Sequence, residues 1–199
     1  MPQPVLFYVR HGETEWNQHG RLQGWHDSDL TSLGRMQAVH CADILRELLA
    51  RDQRDPVTLD FVASPLGRAR ATMERLRTTL GLDPTTYRVD DRLAELSFGR
   101  WEGLAYRQLL AREQETLAAR ERDKWNFVPP GGESYADLLV RLRAWHATMT
   151  HDAVVIAHGG TARALVALRG IAPPEKAAVF DIDQGVVYVF AEHGLARYG

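Results

Sequence analysis

The sequence predicts a three-layer α/β sandwich in which a mainly parallel central sheet is flanked by helices. Three observations carry this. Short β-branched or aromatic runs alternate with segments of helical period, two of those runs end in His-Gly, and a turn-rich stretch near the C-terminus separates two further apolar runs. The 199 residues, 45% hydrophobic and 25% charged, suit one domain spanning 1–199 with enough apolar side chain for a sizeable core. No internal repeat, low-complexity tract or linker divides it.

Residues 5–9 read as a buried strand that delivers Arg10-His11-Gly12 at its C-terminal edge. Thr31 or Ser32 can cap a helix to about Leu49, with Leu33, Met36, His40, Ile44 and Leu48 as its apolar face. Residues 59–63 form the next strand-like run. Ser64 then reads as an N-cap and Pro65 as the first helical position of a helix to Leu80, stopped by Gly81. Strand-like composition over 85–89 precedes a structured loop at 93–103, and a helix is expected over 106–122. The prolines and glycines of 127–132 break it, and Ser134 caps a helix with Tyr135, Leu138, Leu142, Trp145 and Met149 on one face. A compact strand at 153–157 ends in His158-Gly159-Gly160, and a helix resumes over 161–168. Residues 179–182 and 186–190 are expected to pair as an edge hairpin around Asp183-Gln184-Gly185.

The formal charge of −2 offers no basic field for nucleic acid or an anionic membrane, so an anion site has to be local. Lys124 and Lys176 are the only lysines, which leaves no P-loop lysine and little scope for Schiff-base chemistry. Cys41 stands alone, so no internal disulfide or cysteine-rich zinc site can form, and a reducing compartment suits it. Residues 1–10 lack a basic n-region and a long apolar stretch, so a cytoplasmic location is expected.

Parallel strands open on one side of a sheet, so a crevice there can hold His11 and His158 against a single ligand. Around them, Arg10-His11-Gly12-Glu13-Thr14 with Asn17, then Leu30-Thr31, Gly34 and Gln37-Ala38, resemble the signature of the histidine phosphatase superfamily in its phosphoglycerate mutase-like branch. The resemblance continues through Ser64-Pro65-Leu66-Gly67-Arg68-Ala69, Arg92-Leu93-Ala94-Glu95, Phe98 to Gly103, Pro130-Gly131-Gly132-Glu133-Ser134 and Ala157-His158-Gly159-Gly160. It implies a phosphoglycerate mutase-like fold, His11 as the nucleophile, Arg10 and Arg68 as phosphate ligands, His158 as a further donor, and Glu95 as proton donor. It also makes Asn17, Arg21, Gln23, Gly24 and Gly159 candidate substrate contacts, with Trp25 beside them.

These residue types suit that chemistry. An imidazole of ordinary pKa about 6.5 is mostly neutral at pH 7, and neighbouring guanidiniums lower its pKa further while binding phosphoryl oxygens. His158 would serve best protonated. The other histidines, His19, His26, His40, His146, His151 and His193, show no shared ligand spacing, and H-E-x-x-H is absent, so neither metal nor cofactor is expected. Arg163 reads as a structural or solvated ion pair. Arg107, Arg112, Arg120, Arg122 and Lys124 alternate with glutamates and read as a solvated helix face, which leaves little chain for a mutase lid in 104–129.

The expected activity is therefore hydrolysis of a small phosphomonoester through a phosphohistidine on His11. Cofactor-dependent mutase-type phosphoryl transfer and a catalytically silent phosphate-binding module are the alternatives. The expected partner is the small-molecule substrate, with no nucleic acid and no membrane, and a homodimer stays open.

Overall fold

A computed structural model describes residues 3–192 and 194–199; Met1, Pro2 and His193 lie outside them. The elements run β1 Leu6–Arg10, α1 Glu15–Gln18, α2 Ser32–Arg51, β2 Asp60–Ala63, α3 Gly67–Thr79, β3 Arg88–Val89, α4 Tyr106–Arg112 and α5 Gln114–Arg122. After these come α6 Tyr135–His146, β4 Ala153–Ala157, α7 Gly159–Leu168, α8 Pro174–Ala177, β5 Val187–Ala191 and β6 Gly194–Tyr198. One sheet has the order β3-β2-β4-β1-β5-β6. Its first four strands run parallel, β5 runs antiparallel to β1, and β6 runs antiparallel to β5.

Both faces of the sheet are covered, and the strands alternate between them with the expected period of two. Leu6, Tyr8, Ala153, Val155 and Ala157 pack with Leu138, Leu142 and Trp145 of α6 and Leu165 of α7. Phe7, Val9, Val154 and Ile156 pack with Cys41, Leu45 and Leu49 of α2 and Met73 and Leu76 of α3. A smaller apolar cluster of Trp101, Leu109 and Leu117 seats α4 and α5 on the 98–104 loop, with Trp101 stacked on Phe127 at 5.6 Å. Among the described residues no helix is long and apolar enough to cross a membrane.

Several local expectations need correction. The buried face of α2 is Ala38, Cys41, Ala42, Leu45, Leu48 and Leu49, while Leu33 and Met36 are exposed. Cys41, Ala42, Leu45, Leu48 and Leu49 pack in one cluster with the sheet, so the buried stripe mixes small and large residues. Helix α3 starts at Gly67 instead of Pro65, and Ser64 does not cap it. Asp27, distant in sequence, supplies the cap: its carboxylate accepts from the Gly67 N–H at 2.6 Å and the Arg68 N–H at 3.4 Å.

The expected strand at 85–89 shrinks to Arg88–Val89, because Asp83 and the Thr85 that follows it fold into a side-chain-bonded turn. The helix expected over 106–122 breaks at Glu113, whose φ of −130° leaves the helical region. The terminal hairpin pairs β5 with β6, and 179–182 is not a strand. Pro173 and Pro174 start the short α8, and the Phe180 and Ile182 carbonyls are taken by arginine side chains instead of a ladder.

Candidate active site

The register Leu6↔Ala153 to Arg10↔Ala157 brings β1 and β4 to an end at the same level, and the His11 N–H donates to the Ala157 carbonyl at 2.9 Å. His11 and His158 therefore leave adjacent strands side by side, with ring centroids 5.2 Å apart and planes inclined by 58°.

Close backbone packing holds His11. A Cβ on Gly12 would stand 2.2 Å from the Gly34 carbonyl oxygen, and one on Gly34 would stand 2.0 Å from that of Glu13, so the start of α2 and the segment after β1 meet only as glycines. The Gly12 N–H donates to Thr72 Oγ1, and Gln184 Nε2 donates to the His11 carbonyl at 3.1 Å and to Asn17 Oδ1 at 3.0 Å. His11 Nδ1 lies 2.8 Å from the Gly12 carbonyl, which can only accept. That puts the proton on Nδ1 and leaves Nε2 with its lone pair. Burial first, then Arg68 and Arg10, hold the His11 pKa well below the ordinary imidazole value.

Arg68 is buried and almost fully used. Its Nε donates to His11 Nε2 at 3.3 Å, Nη1 donates to the His26 carbonyl and to Asp27 Oδ1, both at 2.7 Å, and Nη2 donates to the Gly24 carbonyl at 2.8 Å. Arg10 donates from Nη1 to the Ile182 carbonyl at 2.8 Å, and its buried Nε has no protein partner among the described residues.

His158 is clamped from both sides. Its N–H and carbonyl each bond to Tyr8 Oη and Thr161 Oγ1 within 2.6 to 2.9 Å. Its Nε2 is 2.6 Å from Ser64 Oγ, which already accepts from the Leu66 N–H. Ser64 is fully buried, and among the described residues its hydroxyl proton has only that Nε2 to bond. Ser64 therefore donates, the His158 proton sits on Nδ1, and Nδ1 is the second buried atom here without a partner. Burial first, then Arg68 and His11, push His158 well below its usual pKa, so it is a neutral one-proton donor and not the imidazolium expected from the sequence. An arriving dianion would favour the charged form.

Glu95 Oε1 accepts from the Leu96 N–H at 2.9 Å, and Oε2 accepts from the Gly160 N–H at 3.2 Å, at the N-terminus of α7. Gly160 permits the approach, since a Cβ there would lie 2.3 Å from Glu95 Oε1. Arg141 of α6 pins the loop by donating to the Arg92, Ala94 and Glu95 carbonyls and pairing with Glu133 at 3.0 Å. Glu133 thus acts at one remove, through the arginine that fixes the Glu95 backbone.

Arg10, His11, Arg68, His158, Glu95 and Gly159 come together, and Asn17 reaches the group through Gln184. Gln23 is buried with its Oε1 accepting from Ser28, and Gly24 contributes its carbonyl to Arg68. Trp25 is half exposed and bonds the Glu95 carbonyl through Nε1 at 2.8 Å. Arg21 is exposed and tied to the Gly103 carbonyl at 2.7 Å, with no bond to the pocket residues. Arg163, expected in an ion pair, donates instead to the Phe180 carbonyl. Sequence reasoning missed Ser64, Asp27, Gln184 and Arg141, and their only signal was unspent hydrogen-bonding capacity on residues far from the histidines in sequence.

A cavity of about 910 Å³ lies at the opposite end of the strands beside Pro4, Arg54, His151 and Asp152. Arg169 Nε and Nη1 are buried without partners near that end, but only at the histidine end do such donors, Arg10 Nε and His158 Nδ1, stand beside an imidazole lone pair, an arrangement suited to an anion. Among the described residues no group of three or more His, Cys, Asp or Glu is placed to hold a metal ion.

The model of the histidine phosphatase superfamily (branch 1) matches residues 6–194. The chain belongs to this superfamily. It is 36% identical over 176 residues to a glucosyl-3-phosphoglycerate phosphatase of Mycobacterium tuberculosis, covering 81% of this chain and 73% of that one. A 2,3-bisphosphoglycerate-dependent phosphoglycerate mutase of Nitrobacter hamburgensis is 30% identical over 197 residues, covering 96% and 92%. A native structure of mycobacterial glucosyl-3-phosphoglycerate phosphatase superimposes with a TM-score of 0.78 at 32% identity, over 94% of this chain and 89% of that one. Within this superfamily the spread of relatives covers both hydrolysis and phosphoryl transfer, so the site has to be read for which it supports.

The depressed histidines have a consequence for stability. Both bind fewer protons folded than unfolded, so their contribution is intact above the unfolded pKa of about 6.5 and is lost as pH falls below it. The expected slope is up to about 1.4 kcal/mol per pH unit for each. Thermal unfolding followed from pH 7.5 to 5.5 should show Tm falling, with the decline easing when His158 is replaced by glutamine. A Tm that rises on acidification would contradict the assignment.

Proposed function

We propose that this histidine phosphatase superfamily member is a metal-independent phosphomonoester hydrolase acting on a small phosphorylated metabolite through a phosphohistidine on His11, with the whole chain as one catalytic domain. The observation that carries the reading is the His11 Nε2 lone pair, held neutral and adjacent to a buried arginine, with unpartnered donors of Arg10 and His158 around it. Phosphatase-named relatives support it. The lone Cys41 suits a cytoplasmic setting.

In the first step Nε2 attacks phosphorus in line, the P–N bond forms, and the ester P–O bond breaks toward the leaving alcohol. Arg10, Arg68 and the His158 Nδ1 proton bind the phosphoryl oxygens as charge shifts onto them. Glu95 gives its proton to the leaving oxygen. In the second step the Glu95 carboxylate takes a proton from water, which attacks phosphorus, and the P–N bond breaks to release phosphate and restore His11.

The test is phosphate release from p-nitrophenyl phosphate in the presence of EDTA. Activity that requires an added metal would overturn the reading, and so would isomerisation of 3-phosphoglycerate faster than its hydrolysis. Glu95→Gln should lower kcat by roughly 10²- to 10⁴-fold while changing KM little. An unchanged rate removes Glu95 as the acid.

A further inference from the structure

The hydrolysis mechanism leaves Glu102 unused, yet its side chain is only 7% exposed. A carboxylate leaves water only where donors replace it, and three converge on one of its oxygens. Oε1 accepts from the Phe98 N–H at 3.0 Å, the Ser97 hydroxyl at 3.1 Å and the Trp25 N–H at 3.2 Å. Ser97 and Phe98 belong to the loop that follows Glu95, and Trp25 belongs to the loop that follows His11. Oε2 lies 3.7 Å from His26 Nδ1, on that second loop. One carboxylate therefore fastens together two segments far apart in the chain.

Residues 24–26 in turn touch both halves of the site. The Gly24 carbonyl accepts from Arg68 Nη2 at 2.8 Å and the His26 carbonyl from Arg68 Nη1 at 2.7 Å, while between them Trp25 Nε1 donates to the Glu95 carbonyl at 2.8 Å. Three successive residues thus hold the buried arginine and the backbone of the acid. Gly24 lets Glu102 in, for its φ is +54° and a Cβ there would stand 2.1 Å from Glu102 Oε1. From the other side Ser97 gives its N–H to Glu133 Oε2 at 3.1 Å, so the acid loop hangs between two carboxylates, and Glu102 is the one that reaches the His11 side.

We propose that Glu102 is a positioning residue for Glu95: it clamps the 95–98 loop to residues 24–26, so that the acid keeps its place relative to a phosphate seated at Arg68. This rests on the phosphatase reading and adds to it a residue that works through others. The three Oε1 donors are neutral, so the clamp needs an acceptor oxygen at that reach and not a charge. Displacing the acid by about 1 Å is enough to cost roughly 10²-fold in rate, whereas Arg68 keeps its bonds to Asp27 and His11 without Glu102.

The experiment follows p-nitrophenyl phosphate turnover with inorganic phosphate as the inhibitor. Glu102→Ala should lower kcat by about 10- to 100-fold while the phosphate inhibition constant changes by less than about threefold. Glu102→Gln, which supplies the same oxygen, should hold kcat within about threefold of the native value. In a Glu95→Gln background, Glu102→Ala should cost less than about threefold, because the group it aligns is already gone. An unchanged kcat in Glu102→Ala, a Glu102→Gln variant as slow as Glu102→Ala, or a full loss in the Glu95→Gln background overturns the clamp and leaves the phosphatase reading standing. Phosphate inhibition weakened as much as kcat falls would place the effect on Arg68 and also overturn it. If Glu102→Ala gives no cooperative thermal transition, Trp25→Phe carries the test from a half-exposed side chain. Loss of its bond to the Glu95 carbonyl should lower kcat about three- to tenfold with phosphate inhibition unchanged, and a native kcat overturns the clamp. No phosphate release by the native enzyme would instead defeat the phosphatase reading itself.

Discussion

His11→Ala should abolish turnover of p-nitrophenyl phosphate, with kcat reduced by roughly 10⁴-fold or more, because the variant lacks the Nε2 lone pair that takes the phosphoryl group, while His158 Nε2 is engaged by Ser64 Oγ at 2.6 Å. The fold should survive. Gly12, Gly34 and Thr72 hold the segment through backbone contacts that do not involve the imidazole, so the variant should keep a cooperative unfolding transition. Rapid acid quench with radiolabelled substrate should trap an acid-labile, base-stable phosphoprotein in the native enzyme and none in the variant. Label retained by His11→Ala would assign the nucleophile elsewhere.

Arg68→Lys should be the next most damaging change, with kcat/KM expected to fall about 10²- to 10³-fold although the charge is conserved. The guanidinium is held by two bonds from Nη1, one from Nη2 and one from Nε to His11. An ammonium has three donors on one atom and cannot reach Asp27, Gly24 and His11 together. The loss would thus lie in orientation, and stability should fall as well, since Asp27 caps α3 while pairing with Arg68. Steady-state kinetics and a denaturation curve check this, and near-native kcat/KM in Arg68→Lys would show that charge alone suffices.

The two histidines were legible because each follows a short apolar run and precedes glycine, a local pattern that requires no knowledge of distant contacts. The identity of Arg10 followed from the same triplet, and Arg68 and Glu95 from the family resemblance. Ser64 shows where such reading stops. Its position before proline reads as a helix cap, yet the hydroxyl is spent on His158, ninety-four positions along the chain, and the cap comes from Asp27. Arg163 likewise reads as a solvated or ion-paired cation, yet its Nε is spent on the Phe180 carbonyl, seventeen positions along the chain, which spacing on one helix cannot show. On α2 the expected stripe and the buried one share only Leu48: the buried face runs from Ala38, Cys41 and Ala42 to Leu45 and Leu49, and which stripe meets the sheet is set by packing with distant strands.

By itself, then, the sequence determined the alternation of strands and helices, the two histidines at strand ends, and a formal charge of only −2. Those depend on residue type and short-range period, which one stretch of chain carries alone. Only the tertiary structure decided the protonation sites of His11 and His158, the posture of Arg68, the support of Glu95 by Arg141, and the tie of Arg163 to the Phe180 carbonyl. Each of these is a hydrogen bond or a charge contact between segments far apart in the chain, and it exists only once the core has folded around one particular arrangement of the sheet and helices.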